Sequence, residues 1–166
     1  MNKLIGICGA AGVGKSTASD ALINLTFMAT EVIPFAGPLK DLAVEFFGWD
    51  GVKDARGRKL LQTLGTDVGR EWDPDFWVSK WKKAVEASLA SIIIADDVRF
   101  QNEVNAIRDM GGTVVRLRNE RGQRLDHSSE RVHELRGVIN LDTTDMCPEA
   151  VAANILRLAD RLLGVA

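Results

Sequence analysis

Residues Gly9 to Ser16 read Gly-Ala-Ala-Gly-Val-Gly-Lys-Ser, an unbroken match to the pattern G-x-x-x-x-G-K-[ST]. Few stretches constrain a fold as tightly. Its glycines let consecutive backbone N–H groups turn inward around phosphate oxygens, a lysine reaches the outer phosphates, and a hydroxyl holds Mg²⁺. Here those roles fall to the backbone of Gly9, Ala10, Ala11, Gly12, Val13, Gly14 and Thr17, to Lys15, and to Ser16. Leu4-Ile5-Gly6-Ile7-Cys8 just before it reads as a buried parallel strand. Ser16 to Leu25 reads as a helix, with Ala18, Ala21, Leu22 and Leu25 at helical spacing and its positive end at the phosphates. Chance alone produces the pattern in roughly one chain in 200 of this length. With a strand before it and a helix after it, the stretch is a nucleotide-binding loop.

The chain has 166 residues, enough for one domain with a sizeable core. A net charge of −2 argues against a dedicated nucleic-acid binder, which carries a basic excess. No apolar run approaches the ~20 residues of a membrane span. Met1 leads straight into the first strand, so no signal peptide is expected. Cys8 and Cys147 lie in unlike contexts far apart, which points to free thiols and a cytoplasmic protein.

Strands and helices alternate along the chain. Thr30 to Pro34 is a short strand and Leu39 to Phe47 a helix, with Pro38 in its first turn and a stripe of Leu42, Ala43, Phe46 and Phe47. Arg56 to Gly69 is the next helix, its stripe Leu60, Leu61, Leu64 and Val68, with Thr63, Asp67 and Arg70 on another face. Gly65 and Gly69 each cost about 1 kcal/mol there relative to Ala, which suggests either close approach of a ligand or backbone, or a fraying end. Asp73-Pro74 reads as a helix start, running to about Ala90 through Phe76, Trp77, Trp81 and Val85. Ser91 to Ala95 is the clearest buried strand. Gln101 to Met110 is helical, Thr113 to Leu117 a strand, and Arg118 to Arg136 a mobile polar insertion. Val138 to Leu141 is a last strand and Pro148 to Leu163 a closing helix.

This alternation predicts an α/β fold of three layers: a central parallel sheet of about five strands with helices on both faces. All 166 residues form a single domain. Its core is 1–35, 91–117 and 137–166, with a helical acceptor-binding insertion at about 36–90 and a short lid at about 118–136. Ligands of such sheets sit at the carboxyl ends of the strands, where Gly9, Phe35, Asp97 and Arg118 fall.

The apolar run ending in Asp96-Asp97 has the form of a strand whose acid helps hold Mg²⁺. Asp97, which opens Asp-Val-Arg-Phe, is taken as that acid, with Asp96 facing away or capping a turn. Arg99 points into the same crevice and suits bidentate phosphate recognition, with Arg70 and Lys40 as further candidates. Arg118, Arg121 and Arg124 suit a closing lid that neutralises charge and excludes water. His127 has no zinc-type neighbours, and no paired general acid and base is visible.

With these residues placed, the chain resembles the bacteriophage deoxynucleoside monophosphate kinases, within the nucleoside monophosphate kinase fold. The matching segments are Gly9 to Ser16, FAGPLK (Phe35 to Lys40), LLQTLGTDVGR (Leu60 to Arg70), DPDFW (Asp73 to Trp77), DVRFQNE (Asp97 to Glu103) and DHSSE (Asp126 to Glu130). The resemblance implies transfer of the γ-phosphate of ATP, with Mg²⁺, to a 5′-deoxynucleoside monophosphate. It implies Lys15 and Ser16 at ATP, Asp97 at Mg²⁺, and Arg70 and Arg99 at the acceptor phosphate. Phe35, Lys40, Asp67 and Trp77 belong with the acceptor wall, and Arg121 and Arg124 with the lid and the transferred group. It also implies small-molecule nucleotides as partners, without nucleic acid or membrane, and a homodimer.

The other readings are a phosphomevalonate-kinase-like or other small-molecule kinase, which shares the GPLK stretch, and a GTP-binding switch. The switch reading has only Asp54-Ala55-Arg56-Gly57 in its favour, and no N-K-x-D motif is present. A DNA-packaging ATPase fits poorly with a short, mildly acidic chain.

Overall fold

The computed structural model describes residues 2–120 and 131–162, with side chains as far as residue 160. Five strands form one parallel sheet. They are β1 (Lys3–Cys8), β2 (Thr30–Val32), β3 (Ile92–Ala95), β4 (Thr113–Arg118) and β5 (Ile139–Asp142), in the order β2-β3-β1-β4-β5. Between and around them run α1 (Lys15–Leu25), α2 (Gly37–Phe47), α3 (Ala55–Gln62), α4 (Phe76–Ala87), α5 (Gln101–Asp109) and α6 (Pro148–Leu162).

The strands are apolar on both faces because both are covered. Leu4, Cys8, Ile93, Ala95 and Val114 pack under α4 and α5 with Trp81, Val85, Val104 and Ile107. Ile5, Ile7, Ile92, Ile94, Val115 and Leu117 pack under α1 and α6 with Leu22, Ala152 and Ile155. The three-layer expectation therefore holds. Register places Lys3 to Gly6 beside Ile92 to Ala95 and Ile5 to Cys8 beside Thr113 to Arg116, so the loops after β1, β3 and β4 emerge together.

The helical segment between β2 and β3 departs from expectation in three ways. First, the continuous α-helix expected over Arg56 to Gly69 gives way after Gln62 to a π-helix, Thr63–Arg70. Its i→i+5 bonding brings residues four apart into line and turns those three apart away from each other. Thr66 and Arg70 thus share a face, while Asp67 and Val68 turn to solvent. Gly65 and Gly69 admit side chains: a Cβ on Gly65 would lie 2.9 Å from Leu39 Cδ2, and one on Gly69 2.7 Å from Trp77 Nε1.

Second, α4 begins at Phe76 rather than at Pro74. The Asp73 carboxylate accepts from Asp75 N in a turn, and Asn102 Nδ2 donates to Pro74 O (2.7 Å) and Asp75 Oδ1 (2.8 Å), tying that turn to α5. Third, α2 buries Leu39 and Ala43, whereas Phe46 and Phe47 are exposed.

The segment after β4 is also less uniformly polar than expected. Val132, the first residue of a short 3₁₀ turn at Val132–Glu134, and Leu135, which follows that turn, are buried in the core. Both cysteines are free, Cys8 buried and Cys147 exposed. No helix among the described residues is long and apolar enough to cross a membrane.

Candidate active site

The loop from Gly9 to Gly14 leaves the end of β1 and closes on the first turn of α1. Gly9 has φ 144°, and a Cβ there would lie 2.7 Å from the Leu117 carbonyl, so only glycine fits against β4. Gly14 caps α1 in the left-handed region, leaving the first turn with no side-chain cap. The unmet N–H groups of that turn and its positive end suit an anion. Lys15 Nζ donates to the carbonyls of Gly9 and Ala10, each at 2.9 Å, which holds the ammonium inside the loop. Ser16 and Thr17 are exposed on the first turn of α1. Beneath the loop, burial pushes the Cys8 thiol up to about 11 despite the nearby Arg116, so it packs as a small apolar group.

Two cavities lie at the carboxyl ends of the strands, the first of them lined by this loop. The first, of about 500 Å³, runs from Val13, Gly14 and Thr17 to Asn119 and to residues Thr143 through Pro148 after β5. Asn119 is fixed by donating to Val13 O (3.1 Å) and to Thr143 Oγ1 (3.0 Å). Sequence reasoning identified four strand ends and omitted this fifth one. The signal was present: Asp142-Thr143-Thr144-Asp145 follows a strand in turn chemistry, and Asp142 accepts from Thr144 N.

The second cavity, of about 190 Å³, lies between α2, α3, the π-helix and the loop after β3. Of the residues expected on the acceptor wall, Phe35, Lys40, Arg70, Trp77 and Arg99 are brought together on its lining. Phe35 stacks on Trp81 with centroids 4.4 Å apart, and the indole of Trp81 donates to Ile33 O. Trp77 donates to Gly65 O at 2.9 Å, so the tryptophan wall and the π-helix are one unit. Asp67, also expected on this wall, is exposed and faces Lys59 at 3.9 Å, outside the cavity. Its displacement follows from the π-helical phase. Lys53 and Arg58 line the cavity as well, and no motif singled them out.

Arg70 is held from three sides. It pairs with Glu103, its Nη1 lies 3.4 Å from both Asn102 Oδ1 and Pro74 O, and its guanidinium stacks 3.8 Å from the centroid of Phe100. Glu103, 2% exposed, also accepts from the amides of Arg99 (2.7 Å) and Phe100 (3.1 Å). Burial pushes its carboxyl up to about 7, with Arg70 pulling the other way and Asp97 adding to the rise.

The adjacent acids divide in a way the sequence did not suggest. Both carboxylate oxygens of Asp97 are engaged by backbone: Oδ1 accepts from Phe35 N (2.8 Å) and Oδ2 from Ala36 N (3.0 Å). Asp97 is thus a clamp between the loops after β3 and β2, a poor starting point for the metal role expected of it. At Asp96, burial and then the Asp97 charge raise the carboxyl, while Lys40, a backbone hydrogen bond at Asp96 itself and Lys15 pull it down. The exposed Ser16 hydroxyl and the Asp96 carboxylate are hard oxygen donors. They fit Mg²⁺, which binds through one or two protein oxygens and otherwise keeps water and phosphate ligands. Among the described residues no cluster of three His, Cys, Asp or Glu could hold a metal by itself. Arg121, Arg124 and the segment Asp126 to Glu130 lie outside the described residues.

A parallel sheet ordered β2-β3-β1-β4-β5, with a glycine-rich loop between β1 and α1, is the architecture of a P-loop kinase. Solved structures agree at the level of fold. A tunicamycin resistance protein from Deinococcus radiodurans superposes with a TM-score of 0.57 at 16% identity, covering 100% of this chain and 98% of that one. Shikimate kinase from Aquifex aeolicus gives 0.52 at 14% identity, with 98% of each chain covered. A gluconokinase from Sinorhizobium meliloti gives 0.53 at 16%, covering 97% and 95%.

The chain belongs to the deoxynucleotide monophosphate kinase family, whose sequence model matches residues 53–137, just over half of the 166. The match starts on the loop between α2 and α3 and takes in the π-helix and α4, so it lies outside the widely shared phosphate loop. A protein of Acanthamoeba polyphaga mimivirus, named provisionally as a deoxynucleotide monophosphate kinase, is 28% identical over 168 aligned residues. That alignment covers 84% of this chain and 85% of the relative. The protein is a phosphotransferase of the nucleotide-kinase class.

Proposed function

We propose that the protein transfers the γ-phosphoryl group of ATP to the 5′-phosphate of a deoxynucleoside monophosphate, giving the diphosphate and ADP. One observation supports this most: the second cavity sets Lys40, Arg70 and Arg99 beside Phe35 and Trp77, cations with aromatic rings, next to the loop after β3, the strand paired with the β1 that leads into the phosphate loop. A donor phosphate on the loop and an acceptor phosphate in the cavity would then meet at the carboxyl edge of the sheet.

Little covalent chemistry is asked of the protein, since an acceptor phosphate oxygen attacks the γ-phosphorus in line as the bond to the ADP oxygen breaks. Catalysis is positioning and charge neutralisation. The loop amides and Lys15 hold the β- and γ-phosphates, and the larger cavity beside Asn119 and Thr143 takes the nucleoside of ATP. Arg70 and Arg99 orient the acceptor phosphate, and Phe35 and Trp77 wall in its sugar and base. Ser16 and Asp96 would hold Mg²⁺, which would supply charge neutralisation at the phosphates. In this assignment Asp97 shapes the acceptor wall and leaves the metal to Asp96. Arg121 and Arg124 supply further cations from the segment after β4.

The test is ADP release from ATP and Mg²⁺ with a panel of ribo- and deoxynucleoside monophosphates, and with mevalonate 5-phosphate beside them. Turnover dependent on a deoxynucleoside monophosphate is expected. Turnover only with mevalonate 5-phosphate would move the acceptor to another class, and nucleotide hydrolysis indifferent to any acceptor would overturn the kinase reading.

A further inference from the structure

The acceptor cavity holds more positive charge than its motifs account for, and the surplus comes from the loop between α2 and α3. Local contacts on both sides of Lys53 fix that loop. The Trp49 indole donates to Val52 O (2.9 Å), and Val52 N donates to Asp50 Oδ1 (2.9 Å). On the other side Asp54 caps α3 by accepting from Gly57 N (2.7 Å), and Arg58 Nε donates to the Lys53 carbonyl (2.9 Å). Gly57 is buried against this turn; a Cβ there would lie 2.2 Å from Val52 O. The backbone that carries Lys53 is therefore held before any ligand arrives.

The Lys53 side chain lines the cavity with Lys40, Arg58 and Arg99. Lys53 stands at the exposed lip of the cavity, where partial burial first and then Lys40 and Arg99 disfavour its ammonium, with Asp96 acting in the opposite sense and Arg58 adding to the fall. Among the described residues it makes no ion pair with a carboxylate. Like charges gathered at one cavity repel each other and disfavour the charged state. A dianion seated among them reverses the sign of that energy.

We propose that Lys53 binds the phosphate of the acceptor, forming with Lys40 and Arg99 a clamp for a phosphomonoester dianion whose third jaw is the α2–α3 loop. The proposal rests on the reading above in one respect, that the cavity takes a phosphorylated acceptor; it does not depend on what that phosphate is attached to. A lysine suits the position because it offers a compact point charge on a flexible stem at the cavity lip, beside the arginine that provides the planar fork.

The experiment is calorimetric titration of the whole protein with inorganic phosphate and with dGMP and dTMP, for wild type, Lys53→Gln, Lys53→Arg and a control, Lys83→Gln, on the exposed side of α4. Lys53→Gln is expected to weaken binding about tenfold or more, the scale of one hydrogen bond between charged partners. Lys53→Arg should retain most of the affinity and Lys83→Gln all of it. Without phosphate, Lys53→Gln should melt no lower than wild type, because it relieves repulsion. Unchanged affinity in Lys53→Gln, or an equal fall in Lys83→Gln, would overturn the proposal, as would a wild-type protein that binds none of the three probes. If phosphate binding depends on Lys53 yet no nucleotide is turned over, the clamp stands and the nucleotide reading falls.

Discussion

Arg70, from the π-helix, and Glu103, from α5, form a buried ion pair that joins two walls of the acceptor cavity. Glu103 simultaneously accepts from the amides of Arg99 and Phe100, so a single carboxylate sets both the arginine of one wall and the backbone of the other. Its raised folded value, about 7 against 4.5, fixes the sign of the pH dependence. The folded state holds this proton more tightly than the unfolded state. The group therefore contributes stability below about 4.5, and that contribution is lost as pH rises to about 7. Comparing melting curves of wild type and Glu103→Gln across that range should show the wild type losing ground as pH rises, and a pH-independent difference would refute the assignment. Removing the group altogether, as in Glu103→Ala, strands the mostly buried Arg70 charge and should cost about 3–5 kcal/mol.

The division between Asp96 and Asp97 makes two opposite predictions. Asp97→Asn puts an NH₂ against a backbone N–H at Phe35 or Ala36, leaving an unmet donor that costs about 1–3 kcal/mol. It should lower the melting temperature and raise the acceptor KM while leaving the Mg²⁺ requirement as it was. Asp96→Asn should leave stability nearly unchanged, cut kcat by about 100-fold, and raise the Mg²⁺ concentration needed for half-maximal rate. Mg²⁺ titrations of both variants decide the matter. A shifted Mg²⁺ requirement in Asp97→Asn alone would return the metal to Asp97.

The parts of the fold legible in the sequence are those whose signal is local. The strand-loop-helix of Leu4 to Leu25 and the apolar run Ile92 to Ala95 are short, strongly patterned, and packed on both faces, so composition alone marks them. Legibility fails where a tertiary partner chooses between local options. The π-helix at Thr63–Arg70 follows from Trp77 and Leu39 pressing on Gly65 and Gly69, and nothing within the segment announces it. Asp73-Pro74 has the residues of a helix start, but Asn102, distant in sequence, holds that turn outside the helix. Asp97 stands out from Asp96 in the sequence by its place in a motif; its geometry depends on two amides 62 and 61 residues away. Lys53, in a loop, and Arg58, on α3, are not legible because a lone cation carries no pattern until the fold sets others beside it.

Gly69 tests the packing of the acceptor wall. Alanine is the better helix former by about 1 kcal/mol, so Gly69→Ala would stabilise an exposed helix. Here the added methyl would press on the Trp77 ring, whose N–H is committed to Gly65 O, and overpacking of this kind costs about 1–3 kcal/mol. A net loss of stability, a change in tryptophan fluorescence, and weaker acceptor binding are expected together. Asp67→Asn on the same helix should leave stability within about 0.5 kcal/mol and the acceptor KM unchanged. A strong KM effect at Asp67 would mean that the π-helical phase does not persist when substrate binds.

Lys15 tests the donor side separately from the acceptor side. Its ammonium is held by two loop carbonyls, so it stands ready at the phosphates and carries no part of the core. Lys15→Ala should leave the fold intact by circular dichroism and cut turnover by at least about 100-fold, the usual loss when a preorganised charge at the transition state is removed. Binding of the acceptor alone should be unaffected, because Lys15 does not line that cavity. Adding the Lys53→Gln change would then separate the two halves of the site: the single variants should lose different things, one the rate of transfer and the other the grip on the acceptor. Near-normal turnover in Lys15→Ala would remove the Gly9 to Ser16 loop from the reaction altogether, whatever the acceptor proves to be.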